Sequence, residues 1–276
     1  MIQEIGANRF DNSFRSDIKP TEEDTLFIFR GTDVLASEDM CSPYPTAGEV
    51  KHNDEPLYLF SIDSRRFFLT LDENAAAPEK YTYVNVRQLR RREGVVKAEL
   101  FAMFTAFHLY RWYAAGRFCG ACGAPTALDT KERALRCTKC GNLSYPRINP
   151  AVIIGVTNGD KLLITHYAKG RGTNLDALVA GFTEIGETLE QTVEREVMEE
   201  VGLRVKNIRY YKSQPWGLSS SILAGFFCDV DGDDTIRLDE SELSSAVWTE
   251  RKDIVGQPDD MSLTNEMMTV FRGGKL

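Results

Sequence analysis

The sequence predicts an α+β protein in which a β-rich N-terminal region, a short metal-binding module and a C-terminal α/β region follow one another. Three observations carry this prediction. Short β-type runs alternate with turns in the first third, four cysteines cluster in the middle, and strands then alternate with a glutamate-rich helix. A chain of 276 residues suffices for about two domains of about 100–200 residues each. The predicted domains are residues 1–115, 117–146 and 149–276.

The composition is that of a globular protein with an acidic balance. Its 33 Lys plus Arg and 41 Asp plus Glu leave a formal net charge of −8, which disfavours nonspecific wrapping of nucleic acid. No basic and then apolar leader follows Met1, and apolar runs such as Ala151–Val156 are far shorter than the roughly 18–20 residues that span a bilayer. We therefore expect a cytoplasmic protein with no membrane partner.

The N-terminal region predicts strands and one long helix. Apolar runs at Leu26–Phe29, Leu57–Ile62 and Arg66–Leu69 are separated by turn-rich stretches. Residues Gly94–Ala115 are apolar around most of a helical circumference, which indicates a buried helix. His108 lies within it and is interpreted as a packed core histidine, because no second ligand stands at metal spacing.

The C-terminal region opens with a β-hairpin. The apolar run Ala151–Val156 and the run Lys161–Thr165 flank Asn158 and Gly159, and Asn-Gly between two such runs is a strong hairpin signal. Further along, Thr188–Val201 is predicted to be a helix that Gly202 ends.

Four of the six cysteines form a zinc-binding pattern. Cys119, Cys122, Cys137 and Cys140 have the spacing C-x2-C-x14-C-x2-C, in which each pair places two thiolates on one tight turn. Four sulfurs close a tetrahedral Zn²⁺ site with no open position, so this metal is expected to be structural. A redox-active C-x-x-C site is the alternative. The other cysteines, Cys41 and Cys228, are expected to be buried small hydrophobic residues.

The C-terminal helix carries three glutamates on one face. Glu196, Glu199 and Glu200 are three or four residues apart, and like charges at this spacing destabilise an isolated helix. Hard divalent cations compensate for such repulsion, and Mg²⁺ prefers a few carboxylates plus phosphate oxygens. Arg195 is expected to pair with Glu187 and to orient the glutamates. A solvated acidic face is the alternative, but it does not explain the glycine-framed loop before the helix.

Residues 181–203 resemble the Nudix box, G-x5-E-x7-R-E-U-x-E-E-x-G-U, at every fixed position. The resemblance implies an α/β/α sandwich that holds Mg²⁺ or Mn²⁺ and directs water onto a substituted nucleoside diphosphate. Carried over by position, Glu196 and Glu200 are the main metal ligands, Glu199 assists, and the carbonyl of Ala180 is a further ligand.

A second motif narrows the resemblance to the NADH pyrophosphatase family. Residues 213–221 read S-Q-P-W-G-L-S-S-S where that family has S-Q-P-W-P-F-P-x-S, and the segment 145–150 after the cysteines resembles the family's Tyr-Pro-Arg entry. The departures at Gly217, Leu218 and Ser219 remove two prolines and an aromatic ring. They bear on the preference for the dinucleotide that the resemblance implies, and not on the pyrophosphatase chemistry. The resemblance also implies a homodimer and a degenerate Nudix-like N-terminal domain.

Further site residues follow from this family resemblance alone. Glu242 would complete the metal cluster, with an ordinary surface acid as the alternative. The residues implied in substrate binding are Tyr145, Phe182, Gln214, Trp216, Ser221 and Arg87. Phe182 and Tyr145 would sandwich a substrate ring, the tyrosine coming from the other subunit, unless both are packing aromatics. For Arg87, a surface arginine is at least as good an interpretation.

The expected activity is metal-dependent hydrolysis of NADH or NAD⁺ to nicotinamide mononucleotide and AMP. Removal of an NAD cap from RNA is a further activity that the resemblance permits. Two alternatives stay open. The altered loop could indicate another nucleoside diphosphate derivative, such as ADP-ribose, or the chain could be a non-catalytic nucleotide- or RNA-binding regulator, although such a regulator should have lost box glutamates.

Overall fold

The computed structural model describes residues 1–170 and 175–275. The chain divides into two compact units. The N-terminal unit consists of Gln3–Arg147 together with Gly217–Ser219, and the C-terminal unit of Met1–Ile2, Ile148–Trp216 and Ser220–Leu276. None of the helices within the described ranges has the length and apolar content needed to cross a bilayer.

The N-terminal unit is built from short strands and two helices. The strands are β1 (Phe10–Asp11), β2 (Thr25–Phe27), β3 (Phe29–Arg30), β4 (Asp33–Ala36), β5 (Leu57–Ile62), β6 (Arg65–Leu69), β7 (Thr82–Asn85), β8 (Thr126–Leu128), β9 (Leu135–Cys137) and β10 (Leu143–Ser144). The helices are α1 (Val86–Leu89) and α2 (Lys97–Ala115), with a 3-10 turn at Ala47–Glu49. The strands form three sheets in the orders β1-β5-β6-β2, β3-β4-β7 and β10-β9-β8.

Helix α2 is buried on most sides, as its sequence predicts. Leu100, Phe104 and Phe107 are among its buried residues. It starts three residues later than predicted, because Gly94 adopts a left-handed φ of 82° and Val96 is extended, so neither residue can belong to the helix. The ring of His108 is half-buried, and its Nε2 lies 2.7 Å from the carbonyl oxygen of Arg147.

Within its described residues, the C-terminal unit contains one six-stranded sheet and two helices. The strands are β11 (Asn149–Asn158), β12 (Lys161–Tyr167), β13 (Val179–Phe182), β14 (Val205–Trp216), β15 (Ser221–Val230) and β16 (Leu243–Glu250). The helices are α3 (Leu189–Val201) and α4 (Leu263–Arg272), with a 3-10 turn at Arg251–Asp253. The sheet order is β14-β15-β11-β12-β16, and β13 pairs with β11 beside β12. Strands β11 and β15 are parallel.

Alternating side chains place one helix on each face of this sheet. On β11, Val152 and Ile154 pack in the cluster that contains the valines of α3, whereas Ile153 packs in the cluster that contains α4. Successive strand residues point to opposite faces, so a run that is apolar at every position needs cover on both sides. The predicted α+β class and the C-terminal α/β/α sandwich are therefore confirmed.

The predicted hairpin between β11 and β12 is confirmed with a shift of one residue. Asn158 pairs with Lys161, so the two loop residues are Gly159 and Asp160. Gly159 has a φ of 58°, which a two-residue hairpin loop requires at its first position. Asn158 thus ends the strand and does not occupy the turn.

Candidate active site

Helix α3 forms between a capping box and a left-handed glycine. The Oγ1 of Thr188 accepts a hydrogen bond from the backbone N–H of Gln191, and the Gln191 side chain accepts one from the N–H of Thr188. Gly202 ends the helix with a φ of 68°. The predicted C-terminal end is confirmed, and the helix begins one residue later than predicted because Thr188 is its extended N-cap.

The glutamates of α3 lie next to its buried face. Val193, Val197 and Val201 are fully buried against the sheet. Glu196 and Glu200 are only 8% and 4% exposed, whereas Glu199 is exposed. Two of the three box carboxylates are therefore held away from bulk water, which argues against a simple solvated acidic face.

Arg195 joins the box loop to the box helix. Its guanidinium donates to both carboxylate oxygens of Glu187, at 2.6 and 3.0 Å, and to the carbonyl oxygen of Phe182 at 2.9 Å. It also donates to Glu196 at 2.8 Å and to Glu199 at 2.9 Å. The Arg195 charge and hydrogen bonds lower the pKa of Glu187 to about 2. This planar fork therefore fixes the orientation of three glutamates relative to the loop.

Glu200 is a buried carboxylate with one oxygen unsatisfied. Its Oε2 has no hydrogen-bond partner within the described residues. Burial raises its pKa to about 8, with the charges of Glu196 and Glu242 contributing and a backbone hydrogen bond from Ala180 opposing. Burial also raises the pKa of Glu196, despite its contact with Arg195. A buried carboxylate without a partner is costly, and a hard cation bound between these oxygens would remove that cost.

Gly181 allows the Glu196 carboxylate to lie directly against the backbone of β13. A Cβ added at Gly181 would stand only 1.9 Å from the carboxylate carbon of Glu196. Oxygen donors, an orphaned buried oxygen and this close approach together fit a hard divalent cation. Among the described residues, however, the glutamate oxygens are not gathered within 4.8 Å of one another as the cysteine sulfurs are.

Glu242 reaches this group of acids through backbone contacts of its loop. The N–H of Asp239 donates to the carbonyl oxygen of Glu200 at 2.9 Å, and the N–H of Glu242 donates to that of Asp239 at 3.1 Å. The carbonyl oxygen of Glu242 accepts from Ala168 at 2.9 Å. The loop is thereby pinned to the end of α3, and the Glu242 charge contributes to the raised pKa values of both Glu196 and Glu200.

Two residues near these acids were missed by the sequence reasoning. Tyr167 is half-buried at the end of β12, and burial together with the charges of Glu200 and Glu242 raises its pKa. Asp239 adds a smaller charge effect on Glu200. Neither belongs to a motif, and only the spacing of Asp239 three residues before Glu242 offered a signal.

The four clustered cysteines, Cys119, Cys122, Cys137 and Cys140, come together as predicted. Their sulfurs lie within 4.8 Å of one another, with Cys119 and Cys140 at 3.7 Å and Cys122 and Cys137 at 3.5 Å. Tetrahedral Zn²⁺ with bonds of about 2.3 Å sets its sulfurs about 3.8 Å apart, so the cluster is a structural zinc site. Backbone N–H groups of Lys139 and Cys140 approach the sulfur of Cys137 at 3.4 Å and lower the pKa of its thiol to about 6.

A left-handed glycine follows each pair of cysteines. Gly123 and Gly141 adopt left-handed φ angles of 71° and 73° directly after the second cysteine of each pair. Gly120, which lies inside the first pair, is not among the residues with positive φ.

Of the residues assigned to substrate binding by resemblance, some belong to the C-terminal unit and the others to the N-terminal unit. Phe182 is 52% exposed at the end of β13, and Trp216 and Ser221 pair with each other at the ends of β14 and β15. Tyr145 is 52% exposed in the N-terminal unit, where its hydroxyl donates to Glu132 at 2.9 Å. Arg87 is exposed on α1, also in the N-terminal unit.

Both polar atoms of the Gln214 side chain are hydrogen-bonded to backbone, which the motif did not predict. Its side chain is fully buried. The amide nitrogen donates to the carbonyl oxygen of Met261 at 2.7 Å, and the amide oxygen accepts from the N–H of Leu263 at 2.8 Å. Gln214 therefore holds β14 to the start of α4, and any effect on substrate would pass through this connection.

Gly181→Ala is expected to lower the affinity for divalent cations and the activity by about 100-fold, because the new methyl group must displace the Glu196 carboxylate. Titration with Mn²⁺ followed by thermal unfolding measures the loss. Gly120→Ala is the matched control, since a Cβ there meets nothing within 4 Å. Unchanged cation affinity in Gly181→Ala would contradict a role for Glu196 as a ligand.

Two families match the chain over adjoining segments. Residues 147–269 match the NUDIX domain, and residues 116–145 match the NADH pyrophosphatase zinc ribbon domain. The box helix α3 and the loop that carries Glu242 lie inside the first segment, and the four cysteines lie inside the second.

Several curated relatives share one name, NAD-capped RNA hydrolase NudC. The protein from Actinobacillus succinogenes is 46% identical over 138 residues, or 48% of this chain and 52% of the relative. The one from Vibrio atlanticus is 44% identical over 143 residues, or 52% of this chain and 51% of the relative. This chain thus spans about half the length of these relatives. A Nudix hydrolase structure from Nitrosomonas europaea aligns at 22% identity with a TM-score of 0.49, covering 58% of this chain and 92% of that one.

Proposed function

We propose that this chain, whose residues 147–269 match the NUDIX domain and whose residues 116–145 match the NADH pyrophosphatase zinc ribbon domain, is a metal-dependent pyrophosphatase. Its substrate is NADH or NAD⁺, cut at the diphosphate bridge into nicotinamide mononucleotide and AMP. The observation that carries the proposal is the buried, unsatisfied carboxylate of Glu200 beside Glu196 and Glu242. A buried, unsatisfied carboxylate destabilises the fold and would bring no benefit to a non-catalytic regulator. In a hydrolase it can serve as a ligand for the catalytic cation.

The same chemistry extends to RNA that begins with NAD. The bond broken is again the diphosphate bridge, and the relatives that match this chain carry the name NAD-capped RNA hydrolase. We propose removal of NAD caps as a second activity of the same site.

In this mechanism, Glu196, Glu200 and Glu242 would hold Mg²⁺ or Mn²⁺ together with the carbonyl of Ala180, and Glu199 would assist. When bound, the cation neutralises the diphosphate and lowers the pKa of a water molecule. Arg195 keeps the glutamates in place through its fork of hydrogen bonds to Glu187, Glu196 and Glu199.

One box glutamate takes the proton from the attacking water as general base. Glu199 is suited to this role because its side chain is exposed. One hydrogen bond from Arg195 holds it, and breaking that bond would free the carboxylate to reach a water molecule.

Substrate recognition is proposed for residues outside the box. Phe182 stacks on a base from one side, and Tyr145 of a second subunit from the other, which requires a homodimer. Trp216 and Ser221 contact the far nucleoside, Gln214 supports them from below the surface, and Arg87 contacts a phosphate. A cytoplasmic location accords with structural zinc held by four reduced cysteines.

Incubation with Mg²⁺ or Mn²⁺ and NADH, ADP-ribose or NAD-capped RNA, followed by chromatography of the products, tests the proposal. Nicotinamide mononucleotide and AMP are expected from NADH. Faster turnover of ADP-ribose would assign the other nucleoside diphosphate substrate. Binding of these ligands without hydrolysis by cation-loaded protein would instead indicate a regulator and overturn the proposal.

A further inference from the structure

The loop that joins β14 to β15 has an unusual place in the structure. Its residues Gly217–Ser219 belong by their contacts to the N-terminal unit, although both strands belong to the C-terminal unit. These three residues are also those at which residues 213–221 depart from the NADH pyrophosphatase motif that they resemble. The loop is flanked by Trp216 and Ser221, which pair directly across the hairpin.

Gly217 packs against the backbone of α2 so closely that no side chain fits. A Cβ added there would lie 2.1 Å from the carbonyl oxygen of Phe104 and 2.8 Å from its carbonyl carbon. Both atoms belong to helix backbone, which cannot yield as the end of a flexible side chain can. A proline at this position would therefore displace the loop from α2, which explains the glycine physically.

Arg111 of α2 holds the next residue of the loop. Its Nη1 donates a hydrogen bond to the carbonyl oxygen of Leu218 at 3.2 Å, and the Leu218 side chain is only 9% exposed. Ser220 then takes a left-handed φ of 55°, a conformation that costs roughly 1–2 kcal/mol for a residue other than glycine. The contacts of Gly217 and Leu218 offset that cost and keep the loop in one conformation.

The strand register places this loop far from the box loop along one edge of the sheet. Phe182 pairs with Ala151, Ala151 with Leu223, and Leu223 with Gln214. Three strand spacings of about 4.8 Å separate Phe182 from Gln214 by roughly 14 Å. A ligand that reaches both β13 and the end of β14 must therefore extend well beyond its diphosphate.

We infer that Arg111 is a positioning residue for the dinucleotide: through the Leu218 carbonyl it fixes the Gly217–Ser220 loop and hence Trp216 and Ser221 at the far end of the substrate. This inference rests on the proposed function. It assigns to α2 of the N-terminal unit a part in substrate selection, separate from the cation chemistry of α3.

Arg111→Ala tests the inference with two measurements. The first is hydrogen–deuterium exchange of the peptide that contains residues 217–221, which needs no activity, and we expect at least about fivefold faster exchange. The second is steady-state hydrolysis of NADH, for which KM should rise about tenfold while kcat stays within about twofold. Arg111→Lys should restore most of both values, because a lysine can still donate one hydrogen bond to the Leu218 carbonyl.

Arg209→Ala is the matched control, because Arg209 lies on β14 but pairs with Asp229 at 3.0 Å, away from the loop. Its loop exchange and its KM for NADH should equal those of the unmodified protein. Unchanged loop exchange in Arg111→Ala would overturn the inference, whatever the activity. A fall in kcat with unchanged KM would also overturn it. Absence of NADH hydrolysis by the unmodified protein would overturn the proposed function, while the exchange measurement would still report on the anchor.

Discussion

Glu200→Gln is expected to reduce hydrolysis of NADH by about 1,000-fold or more, equivalent to about 4 kcal/mol of lost transition-state stabilisation. Glutamine has nearly the same shape as glutamate, so the helix and its packing should persist. It lacks the charge that a divalent cation requires from a ligand. The rate is measured by chromatography of AMP released in the presence of saturating Mn²⁺.

The same substitution should have the opposite effect on stability. Without metal, the buried Glu200 carboxylate lies near the charges of Glu196 and Glu242 and leaves its Oε2 unsatisfied. Because its pKa is about 8, Glu200 must take up a proton on folding at neutral pH, and a glutamine, which needs none, should therefore raise the melting temperature of the metal-free protein. Addition of Mn²⁺ should raise the melting temperature of the unmodified protein but not that of Glu200→Gln.

Glu194→Gln is the control for this experiment, because Glu194 is an exposed glutamate on the same helix outside the fixed positions of the box. Its activity and its response to Mn²⁺ should be unchanged. Equal activity of Glu200→Gln and the unmodified protein would refute the assignment of the cation site, even if NADH is hydrolysed.

Cys137→Ser is expected to lower bound zinc from about one ion per chain to nearly none. Cys137 is buried, and backbone N–H groups that lower its thiol pKa favour the thiolate that zinc binds. Structural zinc contributes about 10–16 kcal/mol to folding in isolated zinc-finger peptides, so residues 116–147 should lose their fold. Elemental analysis and limited proteolysis of this segment measure the two effects.

Cys41→Ser provides the comparison, because Cys41 lies outside the cluster and is exposed, whereas the sequence predicted a buried residue at this position. That variant should retain its zinc and its resistance to protease. Full zinc content in Cys137→Ser would exclude four-sulfur coordination. Zinc loss in both variants would indicate damage to the whole N-terminal unit and not to the ribbon alone.

Features coded within a short stretch of chain were predictable. The spacing of Cys119, Cys122, Cys137 and Cys140 announced the cluster that the structure contains. Thr188 and Gly202 lie at the two ends of α3, where a cap and a left-handed glycine were available, and the uninterrupted apolar run of β11 is covered on both faces. Each signal depends on neighbours a few residues apart, where helix and strand periodicity or turn geometry decides the outcome.

The domain boundaries and the roles of the site residues stay predictions. The structure assembles the N-terminal region and the ribbon into one compact unit and gives the Gly217–Ser219 loop to that unit. The Nudix-like character of the N-terminal region is likewise still a prediction. No pattern in the sequence predicts that Arg111 of α2 binds the Leu218 loop, which lies more than 100 residues further along the chain.

By itself, the sequence determined the chemistry that the chain can carry: a four-cysteine ribbon, and a box whose glutamates and arginine occupy fixed positions. Only the tertiary structure decided which of these groups meet. In the fold, Glu200 is buried with one oxygen unsatisfied, and the loop of Glu242 is hydrogen-bonded to the end of α3 through Asp239. The Gln214 amide is hydrogen-bonded at the start of α4, and the Leu218 carbonyl accepts a hydrogen bond from Arg111. The physical reason is range. Spacing codes local backbone geometry, whereas burial and charge coupling arise only when strand register and helix packing bring distant segments together.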